Sequence, residues 1–351
     1  MITIGDTTRE TNIKEQKVQS TNESKAMRMD KQFFLIIVSV VFYIEDNIVY
    51  ENYEITTGFV PKHCLIPDIL PPKPGKEEAG RITLVLHASA DRIDDSIVRQ
   101  IDNWNGPVSL AVAFDFNFTG EEILSCYFKK FEEFKRSSKK TERYLSVHYL
   151  IQNEGGRCKE LKKIVVAGFK EDCQGFFQKF QHMKKKIQFL SFYEKIKKMT
   201  SYEVNASRNL AKNSVKTDFA VVADLDHIFS VNFEERIRNF ALDYLVKNPR
   251  TLLVYRIFEI QRNSEDPKDK AELETLLSSG KAREFHVANK NESLIEKLDE
   301  WLQYPGDEVT VQFIKNYSNP SWEPQFVSKK DIPDFDERFR YPMKDNTVLV
   351  T

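Results

Sequence analysis

The segment from Ile82 to Phe114 constrains the fold more than any other part of the chain. Ile82-Thr-Leu-Val-Leu-His87 is a short apolar, β-branched run, and Ile93, Ile97, Ile101 and Trp104 then recur at helical spacing. Asn105-Gly-Pro107 marks a turn, and Val108-Ser-Leu-Ala-Val-Ala-Phe114 is a second unbroken apolar run. Strands without polar alternation need cover on both faces, and two of them joined through an amphipathic helix make a βαβ unit. Such a unit commits the chain to parallel pairing with a right-handed crossover. The expected fold class is α/β: a mixed, mostly parallel sheet flanked by helices in one domain.

The pattern continues downstream. Glu121 to Lys140 carries apolar residues at helical spacing (Leu124, Phe128, Phe131, Phe134), and Tyr144 to Ile151 reads as a third strand. Ile164 to Ala167 is a short apolar run that fits either element, and Phe176 to Met199 reads as a helix with Lys184, Lys185 and Lys186 on a solvated face. Upstream the organisation differs. Residues 1–32 are polar and aperiodic, as in a disordered tail. Phe33 to Ile44 is an uncharged apolar run of 12 residues, with Lys25, Arg28 and Lys31 before it and Glu45 and Asp46 after it. That charge order suits a type II signal anchor, whereas a spanning helix needs roughly 17–25 apolar residues. The run therefore has two readings, membrane anchor or buried strand. Proline recurs from Pro61 to Pro74, which rules out a helix or a central strand there, so residues 45–80 are expected to form a connector and 81–351 the main domain.

Charge and cysteine usage remove some function classes. Lys plus Arg total 52 against 53 Asp plus Glu, so the net charge of −1 supplies no field for nucleic acid, and a membrane enters only through the 33–44 run. Cys64, Cys126, Cys158 and Cys173 have no C-x-x-C spacing, which argues against structural zinc and leaves disulfides and free thiols both open. Sequons at Asn22, Asn117, Asn205, Asn291 and Asn316 fit a secretory route.

The chemistry concentrates at one place. Val204 to Lys212 reads as a helix, and Phe219-Ala-Val-Val-Ala223 as a buried strand that stops abruptly at Asp224-Leu225-Asp226. In an extended chain residues two apart project to one side, so Asp224 and Asp226 should converge while Leu225 enters the core. Ligands of open parallel sheets bind beyond the carboxyl ends of the strands, which is where this pair is expected. Two hard oxygen donors leave positions open on a divalent cation for the phosphates of a nucleotide diphosphate. Read without its strand, an Asp-x-Asp is a solvated loop or a helix cap.

Tyr202-Glu-Val-Asn-Ala-Ser-Arg208-Asn209-Leu-Ala-Lys212 followed by Asp218-Phe-Ala-Val-Val-Ala-Asp224-Leu-Asp226 resembles the Asn-x-x-Arg-Asn-Leu-Ala block and Asp-x-Asp strand of the LARGE-like β-1,4-glucuronyltransferases, which are GT-A glycosyltransferases. Ile82 to Arg92, Trp104 to Val112, Arg256 to Ile260, Trp322-Glu-Pro324 and Phe335-Asp-Glu-Arg-Phe339 are similar to further motifs of that family, over roughly residues 80–345. The resemblance implies inverting transfer of glucuronic acid from UDP-glucuronate, with Mn²⁺, to a xylose-terminated O-mannosyl glycan in the Golgi lumen. By position Asp224 and Asp226 would hold the metal and diphosphate, Arg208 and Asn209 would face the donor, and His87, Ser89 and Arg92 would border the nucleotide. Glu323 would be the base, with Trp322 as a sugar-stacking face; Asp336 and Glu337 are alternative acids. Glu203 stands where the family has Pro, and Lys212 where it has Arg. The family's pattern also continues beyond Phe339 into a segment containing a His near the metal, which is expected to be missing here. Two other readings stay open: an N-acetylglucosaminyltransferase of the same fold, and a pseudoenzyme that binds a glycan or a partner glycosyltransferase.

Overall fold

The computed structural model describes residues 29–43, 63–73, 80–114, 120–152, 158–167, 173–178, 202–285, 295–305, 308–317 and 322–338. Its strands are β1 (Met29–Tyr43), β2 (His63–Leu70), β3 (Ile82–Ser89), β4 (Val108–Phe114), β5 (Leu145–Gln152), β6 (Phe219–Asp224), β7 (His227–Phe229), β8 (Thr251–Gln261), β9 (Ala282–Glu284), β10 (Phe313–Ile314) and β11 (Phe326–Lys329). The helices that position the site are α1 (Ser96–Trp104), α2 (Glu121–Ser137), α3 (Lys139–Tyr144), α4 (Cys158–Ala167), α5 (Val204–Asn213) and α6 (Phe233–Lys247). Among the described residues these strands form one sheet in the order β10-β1-β8-β11-β6-β3-β4-β5-β2, with β7 beside β1 and β9 beside β8.

The heart of the sheet is parallel: β6, β3, β4 and β5 pair in that order. Antiparallel strands flank it, β11 on β6 and β2 on β5. The expected βαβ unit is β3-α1-β4. Every residue of β4 is buried, as its unbroken apolar composition requires. One face packs Leu84, Leu86, Leu110 and Val112 against Ile97 and Ile101 of α1, Leu124 and Phe131 of α2 and Phe233 and Ile237 of α6. The other face is built from smaller residues, Val85, Ala111, Ala113 and Leu150, against Ala206, Leu210 and Ala211 of α5. Alanine on both sides lets the α5 backbone lie close to the sheet. Truncating a fully buried member such as Leu110 to Ala would cost about 2–5 kcal/mol.

At the turn after α1, Asn105 takes a left-handed conformation (φ 57°) and its N–H closes on the Ile101 carbonyl at 2.9 Å. A Cβ on the next residue, Gly106, would lie 2.8 Å from Glu234 Cγ, so only glycine fits.

Several boundaries differ from expectation. The third strand starts at Leu145 because Tyr144 closes α3, and the Ile164–Ala167 run belongs to α4. The segment expected to be a connector contains β2, with Cys64, Ile66 and Ile69 buried. Pro67 is tolerated there because β2 is the outermost strand on its side of the sheet. The run from Phe33 lies within β1, whose backbone pairs antiparallel with β8 from Met29 to Tyr43. Among the described residues no helix is long and apolar enough to cross a membrane. Residues 1–28, the sequons at Asn22, Asn117 and Asn291, most of Phe176–Met199 with its lysine triplet, and everything after Arg338 lie outside the described residues.

Cys126 of α2 is disulfide-bonded to Cys173, and Cys64 is disulfide-bonded as well.

Candidate active site

The order β6-β3-β4-β5 sets the location of the site. From β3 the chain moves outward through β4 to β5, then returns by α5 to the opposite side of β3 as β6. The crevice between the carboxyl ends of β3 and β6 is therefore a topological switch point. His87 and Asp224 are register partners there, so their side chains meet without any special loop.

Asp224 is open to solvent on one side, its side chain 48% exposed, and walled in on the other. His87 Nε2 lies 3.0 Å from Asp224 Oδ1. Arg208, reaching in from α5, places Nη2 3.4 Å from that same oxygen and Nε 3.2 Å from His87 Nε2. The imidazole nitrogen thus serves one partner at a time, donating to the carboxylate as an N–H or accepting from the guanidinium as a lone pair. On its far side His87 Nδ1 is 2.6 Å from the Tyr202 hydroxyl, which fixes the plane of the ring. Enclosure opposes ionisation of Asp224, but the hydrogen bond from His87 and the electrostatic pull of His227, His87 and Arg208 outweigh it and hold the carboxyl far below the usual carboxylate range. Burial lowers the His87 pKa against the pull of Asp224, with Arg208 pushing the same way. Tyr202 is raised, again chiefly by burial.

Beyond Asp224 the chain leaves the strand. Leu225 and Asp226 form a turn and His227 begins β7. The acidic side chains therefore converge through a turn, and not through strand alternation; Leu225 packs against the core as expected. Asp224, Asp226 and His227 each present a ligand atom within 4.8 Å of the others. Adjacent donors around one divalent ion at ~2.0–2.2 Å stand about 3–3.5 Å apart, so the two carboxylates and the imidazole have the right chemistry for such an ion and would close on it by side-chain rotation of up to about 1.5 Å. His227 is 1% exposed; its Nδ1 accepts from the Asp224 N–H at 3.4 Å, and its Nε2 lies 3.8 Å from Asp224 Oδ2. Sequence reasoning missed this histidine. The available signal was its place directly after the Asp-x-Asp.

The other anticipated residues divide. Ser89 and Arg92 sit at the correct end of β3, but Ser89 Oγ donates to Asp91 and Arg92 is exposed on the following turn. Asn209 is committed elsewhere: its Nδ2 donates to the Phe335 carbonyl at 2.8 Å and to Glu337 Oε1 at 3.0 Å, and its Oδ1 accepts from the Phe335 N–H at 2.8 Å. It belongs to a polar face of α5 that grips residues 332–337. Asn205 donates to the Asp336 carbonyl at 2.9 Å, Lys212 donates to the Ile332 carbonyl at 2.8 Å and pairs with Asp334, and the Arg208 guanidinium lies over the Phe335 ring at 5.1 Å. Asp336 pairs with Arg338 and Glu337 with Asn209, so both alternative acids are occupied. Trp322 is not a stacking face: its indole is buried with Leu252, Val254 and Phe326. Glu323 is half-buried just before β11. Because β11 runs antiparallel to β6 with Val327 opposite Val221, the residues preceding Phe326 lie towards the Asp224 end of β6.

The family model of glycosyl-transferases for dystroglycan matches residues 81–350. The chain belongs to this family. Among curated relatives it is similar to beta-1,4-glucuronyltransferase 1 of Mus musculus, 32% identical over 143 residues, which are 40% of this chain and 34% of that protein. The same enzyme of Danio rerio is 30% identical over 149 residues, 40% and 33% of the two chains. The xylosyl- and glucuronyltransferase LARGE1 of Gallus gallus is 28% identical over 141 residues, 39% and 18% of the two chains. The aligned part thus spans about a third or less of the curated relatives it matches.

Proposed function

We propose that this member of the family is a metal-dependent, inverting glycosyltransferase that moves glucuronic acid from UDP-glucuronate to a xylose-terminated O-mannosyl glycan on a glycoprotein. The observation that carries the proposal is the convergence of Asp224, Asp226 and His227 at the switch point of the sheet. Mn²⁺ is the ion proposed for this donor set, and when bound it would neutralise charge gathering on the departing diphosphate. Arg208, beside Asp224, offers a planar cation suited to a phosphate or to the carboxylate of the sugar. His87 and Tyr202 hold the Asp224 carboxylate in orientation. Glu323 is the proposed base: the acceptor hydroxyl oxygen bonds to the anomeric carbon, its proton passes to Glu323, and the anomeric carbon–phosphate oxygen bond breaks to release UDP. The glucuronyl donor is supported by the names of the three relatives above. The Golgi lumen is the proposed compartment, and the Cys126–Cys173 disulfide favours an oxidising one.

The test is UDP release from a panel of UDP-glucuronate, UDP-N-acetylglucosamine and UDP-xylose, with and without Mn²⁺; xylose is included because the Gallus gallus relative is a xylosyl- and glucuronyltransferase. Mn²⁺-dependent turnover restricted to UDP-glucuronate is expected. Preference for another sugar would reject the donor, and UDP binding without turnover of any of them would replace the enzyme by a sugar-nucleotide binder.

A further inference from the structure

Gln100 occupies the buried face of α1, 1% exposed, in line with Ile97, Ile101 and Trp104. An amide has no packing advantage there. Its Nε2 donates to the Leu225 carbonyl at 2.7 Å, while its Oε1 is buried with no hydrogen-bond partner among the described residues. A half-paired amide in a core is less stable than an apolar side chain of the same shape, so stability alone does not account for glutamine at this position.

The bond it makes does suggest a reason. The Leu225 carbonyl belongs to the planar peptide that joins Leu225 to Asp226. Asp224 is already held in the ladder between β6 and β3 through its pairing with His87. Fixing the next carbonyl oxygen fixes the plane that carries Asp226, and hence where the second carboxylate stands relative to the first. The donor comes from a helix anchored by three apolar residues with no measurable exposure, so the restraint is rigid.

We propose that Gln100 is a positioning residue: it pins the Leu225–Asp226 peptide so that the two carboxylates hold their ion-binding separation, at some expense to the stability of the core. The inference rests on the metal reading of the Asp224, Asp226 and His227 cluster. A matched control is built into the same helix, since Asn103 Nδ2 donates to the Phe229 carbonyl at 2.9 Å, three residues beyond that cluster's Asp226.

The experiment titrates the full-length chain with Mn²⁺ alone, following free ion by electron paramagnetic resonance, and records Tm for the same samples. Gln100→Met is expected to weaken Mn²⁺ binding about tenfold, with Tm equal to or above that of the unaltered chain. Asn103→Leu should lower Tm and leave Mn²⁺ affinity within about twofold, an order-of-magnitude expectation for losing one backbone-directed bond away from the carboxylates. Gln100→Asn, too short to reach the carbonyl, carries the same expected loss of affinity and serves if the methionine variant does not fold. Unchanged affinity in the Gln100 variants overturns the proposal and leaves the metal site standing, as does an affinity loss that tracks Tm equally in all three. No Mn²⁺ binding by the unaltered chain removes the metal site, and this inference with it.

Discussion

The two ends of the parallel strands each carry an arginine facing a carboxylate, and the two pairs behave oppositely. At the amino ends Glu234 has no exposed side-chain surface. It accepts from Arg81 Nε at 2.8 Å and Nη2 at 2.7 Å and from the Ile82 N–H at 3.0 Å, and Arg81 also donates to Tyr144 and to the Asn105 carbonyl. Two planar groups meet edge to edge, solvent is shut out, and the Arg81 guanidinium is pushed above its usual pKa by Glu234 and Tyr144 despite the opposing burial. At the carboxyl ends Arg208 reaches Asp224 only with a single 3.4 Å contact, and the carboxylate stays about half exposed. The difference teaches that the same ion pair is a strut when both partners are saturated and leaves a carboxylate available to solvent or ligand when one keeps a free side.

Breaking the closed pair should have the largest effect. Glu234→Ala leaves Arg81 buried without its counter-charge, a loss of about 3–5 kcal/mol, or roughly 10 °C in Tm by scanning calorimetry, while activity per folded molecule stays the same. A Tm within a few degrees of the unaltered chain would make the two ends equivalent. Asp224→Asn and Asp226→Asn should act first on turnover, lowering it with UDP-glucuronate by about 10²–10³; Tm should be unchanged or raised for Asp226→Asn and modestly lowered for Asp224→Asn, whose carboxylate His87 and Arg208 stabilise. Full turnover in both variants would end the assignment of the site.

A third cluster, between the two ends, sharpens the contrast because it relies on a neutral imidazole. His148 is fully buried in β5; its Nδ1 accepts from the Asp68 N–H at 2.8 Å and its Nε2 is 2.9 Å from Ser109 Oγ. Burial lowers its pKa to about 4, with Asp68 pulling upward and Lys216 downward. The unfolded chain, with a histidine pKa of about 6.5, binds the proton more readily, so this contribution is complete above that pH and declines as the pH falls towards 4. Urea unfolding should show about 2 kcal/mol lost from this group between pH 7 and pH 5, and His148→Gln should remove that slope. A slope that survives the substitution belongs to other groups. The smallest effect concerns the sequons. Asn205 is buried and bonded to the Asp336 carbonyl, whereas Asn316 is exposed. Mass spectrometry of secreted material should find glycan at Asn316 and none at Asn205; a glycan at Asn205 would mean that the α5 grip opens.

The parallel heart of the sheet was legible because Ile82–His87 and Val108–Phe114 contain almost nothing polar, and only double-sided burial explains that. The antiparallel flank was not, since β8 and β11 owe their places to pairing across the chain and to no local pattern. The acidic pair was located by the abrupt end of β6, yet its geometry was misread, because a two-residue turn and an extended strand look alike over Asp-Leu-Asp. His227 was hidden by its apolar neighbours Ile228 and Phe229. On α5 the recurrence of Asn205, Asn209 and Lys212 on one face was visible, but a polar face does not say what it holds. Arg208 reaches Asp224 while lying over Phe335, and the Asn209 side chain bonds to the 332–337 segment, a difference of one position that spacing alone does not assign.

That α5 grip also orders events during synthesis. Its bonds join residues 120 to 131 positions apart. When the helix leaves the ribosome its partners are still untranslated, and at ~5–20 residues per second they follow after roughly 6–26 s. Through that interval the amides and the lysine on this face have only water to bind, a window in which a chaperone would find the helix uncovered.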